Sequence, residues 1–182
     1  MKKTILLLLF VTTIAQSQIV NIPDANFKAK LLSATSSNQI AKDLNGNYFK
    51  IDSNSDNEIQ ESEALEVSYL DVSSSSILDL TGIASFFNLE YLDCFNNELI
   101  SLDLTTNTNL TYLQCAYNSL TVLNVNVLSE LRYLYCYHNN ITSFDIINLP
   151  NLELINFFLL SIVFSVVCLI GDLFFSYLKR IS

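Results

Sequence analysis

The sequence predicts an α/β solenoid, a stack of short repeats closed at its N-terminal end by a helix, and three observations carry that prediction. Residues 88–147 write one pattern three times at a spacing of 21. Leu89, Leu92, Cys94, Asn97, Leu99, Leu102 and Leu104 return as Leu110, Leu113, Cys115, Asn118, Leu120, Leu123 and Val125, then as Leu131, Leu134, Cys136, Asn139, Ile141, Phe144 and Ile146. A variant copy stands ahead of them at Val67, Leu70, Val72, Ser75, Ile77, Leu80 and Ile83, 22 residues before the next, with Ser in the Asn slot. Upstream again, residues 21–33 have the signature of one short amphipathic helix. A unit this small cannot bury its own apolar face, so copies must stack on one another, and a helix is needed to cover the first.

The spacing L-x-x-L-x-C-x-x-N-x-L resembles that of the leucine-rich-repeat family, and specifically its secreted bacterial, internalin-like branch with short repeats. The resemblance implies a right-handed superhelix with one short parallel strand per copy on a concave face. Strand alternation then turns Leu92 and Cys94 inward and Tyr91, Asp93 and Phe95 outward. The matching outward sets are Tyr112, Gln114 and Ala116, then Tyr133, Tyr135 and Tyr137. Aromatic residues dominate them. A rigid amphipathic surface of this kind is enriched at recognition sites, which makes Tyr91, Asp93, Phe95, Tyr112, Gln114, Tyr133, Tyr135 and Tyr137 the candidate surface for a protein or glycan partner. Tyr is also a good strand former whose cross-strand contacts stabilise a sheet, so the same column has a purely structural reading.

The recurring Asn97, Asn118 and Asn139 are expected to point inward, each satisfying backbone groups of its own and the neighbouring copy, because buried polar groups require partners. Cys94, Cys115 and Cys136 fall on one inward column. Three cysteines cannot all pair, and parallel side chains have poor geometry for a bridge, so buried free thiols are expected. No C-x-x-C pair accompanies them, which argues against zinc.

Residues 1–17 read as a signal peptide: Lys2 and Lys3, an apolar run over 5–14, and small Ala15 and Ser17 before a cut at Gln18. Residues 18–66 form the expected N-terminal cap. Within it Asn21 is the predicted helix cap, Pro23 stands near the first turn, and Phe27 and Leu31 share the face that packs on the first repeat. Residues 34–47, rich in Ser, Asn and Asp with an Asn45-Gly46 turn signal, are expected to be loop. The following stretch, residues 52–63, resembles the calcium loop of EF-hands and dockerins. Asp52, Asn54 and Asp56 take loop positions 1, 3 and 5, Glu58 takes 7 through its carbonyl, Gln60 takes 9, Glu63 is the acid at 12, and Ile59 is the apolar anchor. Asn57 replaces the family's Gly, Asn being the next residue best able to turn left-handed, and no entering helix precedes the loop. The resemblance implies bound calcium. An Asp/Asn-rich turn starting a short helix over 61–66 accounts for the same residues.

The net charge of −9 understates the acidity of the middle of the chain. Residues 18–151 hold five Lys/Arg against sixteen Asp/Glu, a net of −11, so nucleic acid is not an expected partner. An enzyme is not expected either: the single His138 has no nucleophile in context, and paired carboxylates such as Asp71 and Asp93 are explained as solvated charge. The repeats run over 67–151. Within residues 152–182, Leu152, Ile155 and Phe157 keep the register for half a copy, then Leu160 stands where Asn is due and a long apolar run follows, with an acid at Asp172 and a basic end at Lys179 and Arg180. Two readings stand for this tail, a membrane anchor over 154–178 with a cytoplasmic C-terminus and a truncated or frameshifted repeat. The function expected is therefore an exported, non-enzymatic binding module of the secreted or surface class. A structural stalk segment or a membrane-anchored receptor-like protein is the alternative.

Overall fold

The computed structural model describes residues 18–142 and 149–153; the proposed signal peptide, the repeat positions Phe144 and Ile146, and the tail beyond residue 153 lie outside them. One helix, α1 (Ala25–Leu32), leads into a five-stranded sheet ordered β1-β2-β3-β4-β5. The strands are β1 (Ala41–Lys42), β2 (Tyr69–Asp71), β3 (Tyr91–Asp93), β4 (Tyr112–Gln114) and β5 (Tyr133–Tyr135). From β2 to β5 all pairs are parallel and in the register that the repeat demands, Leu70 beside Leu92, Leu113 and Leu134. A second, one-turn helix, α2 (Glu61–Ala64), sits between β1 and β2. Among the described residues no helix is long and apolar enough to cross a membrane.

The columns stack as expected. Leu89, Leu110 and Leu131 are fully buried, as are Leu92, Leu113, Cys94 and Cys115, while Leu102 and Ile141 are only partly covered. Each fully buried Leu is worth about 1.5–3 kcal/mol relative to an exposed one. Beyond the seven repeating positions the structure adds an eighth inward column, Phe86, Asn107, Leu128 and Leu149, on the side away from the sheet. There the buried Asn107 donates through Nδ2 to the carbonyls of Ile83 and Phe86, tying one copy to the one before it.

The three other asparagines do the same work beside the strands. Asn97 accepts at Oδ1 from the backbone N–H groups of Ser75 and Ile77 and donates from Nδ2 to the carbonyls of Val72 and Cys94. Asn118 accepts from Leu99 N–H and donates to the Cys94 and Cys115 carbonyls; Asn139 accepts from Leu120 N–H and donates to those of Cys115 and Cys136. Every amide thus spans two copies, and an apolar side chain in its place would leave those backbone groups without their partners.

Two expectations about the cap need correction. The helix cap is Asp24, not Asn21: its Oδ1 accepts from Phe27 N–H while Oδ2 accepts from the N–H groups of Leu78 and Asp79 in the first repeat. Partial burial opposes ionisation of Asp24, but these backbone donors outweigh it and hold the carboxyl below its ordinary range. A carboxylate that caps a helix and grips the repeat at once decides where the helix begins. Phe27 and Leu31 are wholly buried, and Gly82 (φ 106) lets residues 20–22 approach so closely that a Cβ would lie 2.8 Å from the Ile22 side chain. The second correction concerns residues 34–47. They contain β1, which pairs antiparallel with β2 and turns back through Gly46 (φ 82) toward Tyr48. An antiparallel strand covers the backbone edge that β2 would otherwise expose.

Candidate functional site

The exposed face of the sheet carries two rows of rings. In the first, Tyr69, Tyr91 and Tyr112 stack face to face, with centroids 4.3 Å and 4.1 Å apart and planes within 18° and 9°. In-register parallel strands set this spacing, since strands lie about 4.8 Å apart. The row continues into the cap, where Tyr48 meets Tyr69 edge-on and Lys42 Nζ lies 4.8 Å and 5.0 Å from the two ring centres. At its other end the stack opens: Tyr133 and Tyr135 tilt 45° from Tyr112, and the Tyr133 hydroxyl donates to Glu153.

The second row lies at the C-terminal rim of the strands. Tyr117 packs edge-on against Phe95 at 5.2 Å and Tyr137 at 5.5 Å, and His138 closes on Tyr117 at 4.3 Å. Ala116, an outward position with no ring, is fully buried, and the ring of Tyr117 occupies the gap between Phe95 and Tyr137. Tyr117 does this with φ 54, in a column of left-handed residues that also includes Ser74 (49), Asn96 (52) and His138 (52). That conformation is costly for an aromatic residue, about 1–3 kcal/mol. The backbone bond from Tyr117 N–H to the Tyr137 carbonyl holds it there.

Between the rows run Asp71, Asp93, Gln114 and Tyr135 in register. Asp71 Oδ1 accepts from Ser73 N–H, Asp93 Oδ1 from Phe95 N–H, and Gln114 Oε1 from Ala116 N–H. Burial, together with the charge of Asp71, raises the Asp93 carboxyl above its ordinary range, with Lys30 acting in the opposite sense. Burial likewise pushes the Tyr69 hydroxyl up to about 12, helped by Asp71, and raises Tyr91 as well. Their folded values exceed the ordinary value of 10.0, so the unfolded chain loses these protons first. The stabilisation is complete below pH 10 and drains away as pH climbs through about 12. Urea midpoints are accordingly expected to fall between pH 9 and pH 11, and an unchanged midpoint would show that the stacked hydroxyls ionise freely.

All eight residues predicted for the partner surface lie on this face. The sequence reading missed Tyr48, Tyr69, Lys42, Tyr117 and His138. Tyr69 was readable, since it stands one copy ahead of Tyr91 in the variant repeat; Tyr117 was not, because strand alternation ends before it.

Beneath the sheet Cys94, Cys115 and Cys136 are free and buried. Burial raises all three thiols, Cys136 to about 11, which makes them poor nucleophiles.

The loop over 52–63 is organised by Glu63. One oxygen of this buried carboxylate accepts from the N–H and hydroxyl of Ser53, and the other from Gln60 N–H in a capping box on α2. Asp52 Oδ1 and Asn54 Oδ1 both accept from Asp56 N–H. Asp56 in turn accepts from Glu58 N–H and from the amides of Asn54 and Gln60, and chiefly the Glu58 N–H lowers its carboxyl below the ordinary range. The Glu58 side chain pairs with Lys28 of α1 at 2.6 Å. Asn57 has φ 66, the left-handed turn expected at that position, and the anchor Ile59 is fully buried with its carbonyl bonded to Val20 N–H. Oxygen donors of the kind a hard cation takes are concentrated here, but the carboxylates of Asp52, Asp56 and Glu63 are each turned to loop N–H groups. Among the described residues no three acidic, His or Cys side chains converge as a metal set.

Solved structures with the same parallel register exist. The functional domain of InlJ from Listeria monocytogenes, described as including a cysteine ladder, superposes with a TM-score of 0.60 at 35% identity, over 76% of this chain and 28% of that one. The chain folds as an internalin-like leucine-rich-repeat protein. An internalin, inlF, from the same organism matches with a TM-score of 0.56 at 24% identity, over 78% of this chain and 39% of the other. The internalin-like chain described here therefore spans well under half the length of either structure. No protein-family model matches the sequence, and no curated protein does.

Proposed function

We propose that this chain is an exported, non-enzymatic leucine-rich-repeat module that docks a partner protein on the exposed face of its sheet. The observation that carries the reading is the double row of rings, from Tyr48 to Tyr133 and from Phe95 to His138, flanking the strip of Asp71, Asp93, Gln114 and Tyr135. The likeness to internalins supports a binding rather than a catalytic role. A protein suits the face better than a glycan. Sugars are held by open ring faces, whereas Tyr69, Tyr91 and Tyr112 spend theirs on one another and offer edges and hydroxyls. A photo-crosslinking residue in place of Tyr135 is expected to label an extracellular protein, and one in place of Ile100, 67% exposed on another side, is not. Equal labelling from both positions would remove the face as the site.

We further propose calcium binding by the loop over 52–63, on the donor chemistry of Asp52, Asn54, Asp56, Glu58 and Glu63. Millimolar calcium should then raise the melting temperature, since a ligand that binds only the folded state stabilises it.

A further inference from the structure

We propose that the docking face recognises its partner protein through a basic side chain, an Arg or Lys, whose charged head meets Asp71 and Asp93 while its stem lies across Phe95 and Tyr117. This rests on the reading of the sheet face as a docking surface and adds the chemistry of what docks there.

Four observations converge on it. The two carboxylates are direct neighbours across β2 and β3, and each commits one oxygen to its own chain, Asp71 to Ser73 N–H and Asp93 to Phe95 N–H. Like charges side by side on a half-buried face favour a cation brought between them. Lys30 is the cation of the chain felt at Asp93, yet its Nζ lies 3.5 Å from the Ser73 carbonyl and, among the described residues, forms an ion pair with neither carboxylate. Next along the same face stand Phe95 and Tyr117, a pair of rings 5.2 Å apart with Tyr117 43% exposed, which supplies the apolar and cation-attracting surface that an Arg or Lys stem prefers. The chain as a whole carries −9, so long-range attraction steers a basic partner and repels an acidic one.

The test titrates the isotope-labelled full chain with three probes, following amide shifts by NMR. They are the peptide acetyl-Gly-Arg-Gly-Arg-Gly-amide, its counterpart with Glu for Arg, and maltotetraose. The Arg peptide is expected to shift Asp71, Asp93, Phe95 and Tyr117, and to bind at least tenfold more weakly in the double variant Asp71→Asn/Asp93→Asn. Those substitutions keep the side-chain oxygen that accepts the backbone bond, so the fold is retained. Asp103→Asn, away from the sheet face, should leave binding unchanged. Tyr117→Asn should weaken binding several-fold while preserving the left-handed turn, because Asn96 holds the same place one copy earlier. Shifts scattered over other acidic residues, or equal affinity in the double variant, would overturn the proposal by reducing the effect to general charge attraction. Shifts of the face by the Glu peptide or by maltotetraose, and not by the Arg peptide, would overturn the basic contact and leave the docking face standing. Crosslinking from position 135 decides the face separately.

Discussion

Replacing Asn97 with Ala is expected to cost about 4 kcal/mol, enough to leave much of the array unfolded at room temperature. The side chain is buried and serves two copies. Its loss strands the N–H groups of Ser75 and Ile77 and removes a donor from the Val72 carbonyl. The Cys94 carbonyl suffers less, because Asn118 also donates to it. Asn139→Ala should cost about half as much. That amide serves one N–H, from Leu120, and is only partly buried, whereas Asn97 serves two and is buried. Urea unfolding of the two variants gives the comparison directly. Equal losses would mean that the amides do not act by joining copies.

Glu63→Gln is expected to lower stability by about 3 kcal/mol, or roughly 10 °C in melting temperature for a domain of this size. The carboxylate accepts on both oxygens; the amide would present an NH2 group to the N–H of Ser53 or of Gln60, a donor facing a donor. This loss is a property of the protein alone and should appear in the presence of a chelator. Calcium adds a separate signature. The parent chain should gain stability with millimolar calcium and the variant should gain none. No gain in the parent would dismiss calcium and leave Glu63 as the clasp of the loop.

The sequence made the stacking legible because stacking is periodic. Leu92, Cys94 and Asn97 return at fixed steps, and only one register buries all three columns. Tyr91, Asp93 and Phe95 followed from alternation. What escaped it was set by contacts distant in sequence. Asp24 and Asn21 are both good cap residues, but Pro23 disfavours helical backbone at Ile22, and the N–H groups of Leu78 and Asp79, more than fifty residues on, secure Asp24. Residues 34–47 have the composition of a loop, and β1 exists there because the edge of β2 is available to pair with. Tyr117 sits past the end of its strand in a backbone conformation that disfavours its own side chain, and no propensity argument would place its ring between Phe95 and Tyr137.

The antiparallel β1 makes the stack asymmetric in a way that bears on its inheritance. One flank is sealed, so a copy cannot be added between the cap and β2 without breaking both the Ala41–Leu70 pairing and the grip of Asp24 on Leu78. Within the regular copies the case is reversed: the pieces that begin at Leu89, Leu110 and Leu131 are interchangeable in frame, each 21 codons long. Slippage between them would lengthen or shorten the first row of rings by one strand spacing and keep the Leu, Cys and Asn columns in register. The gene can therefore alter the reach of this surface in whole steps, downstream only, without having to reinvent its cap.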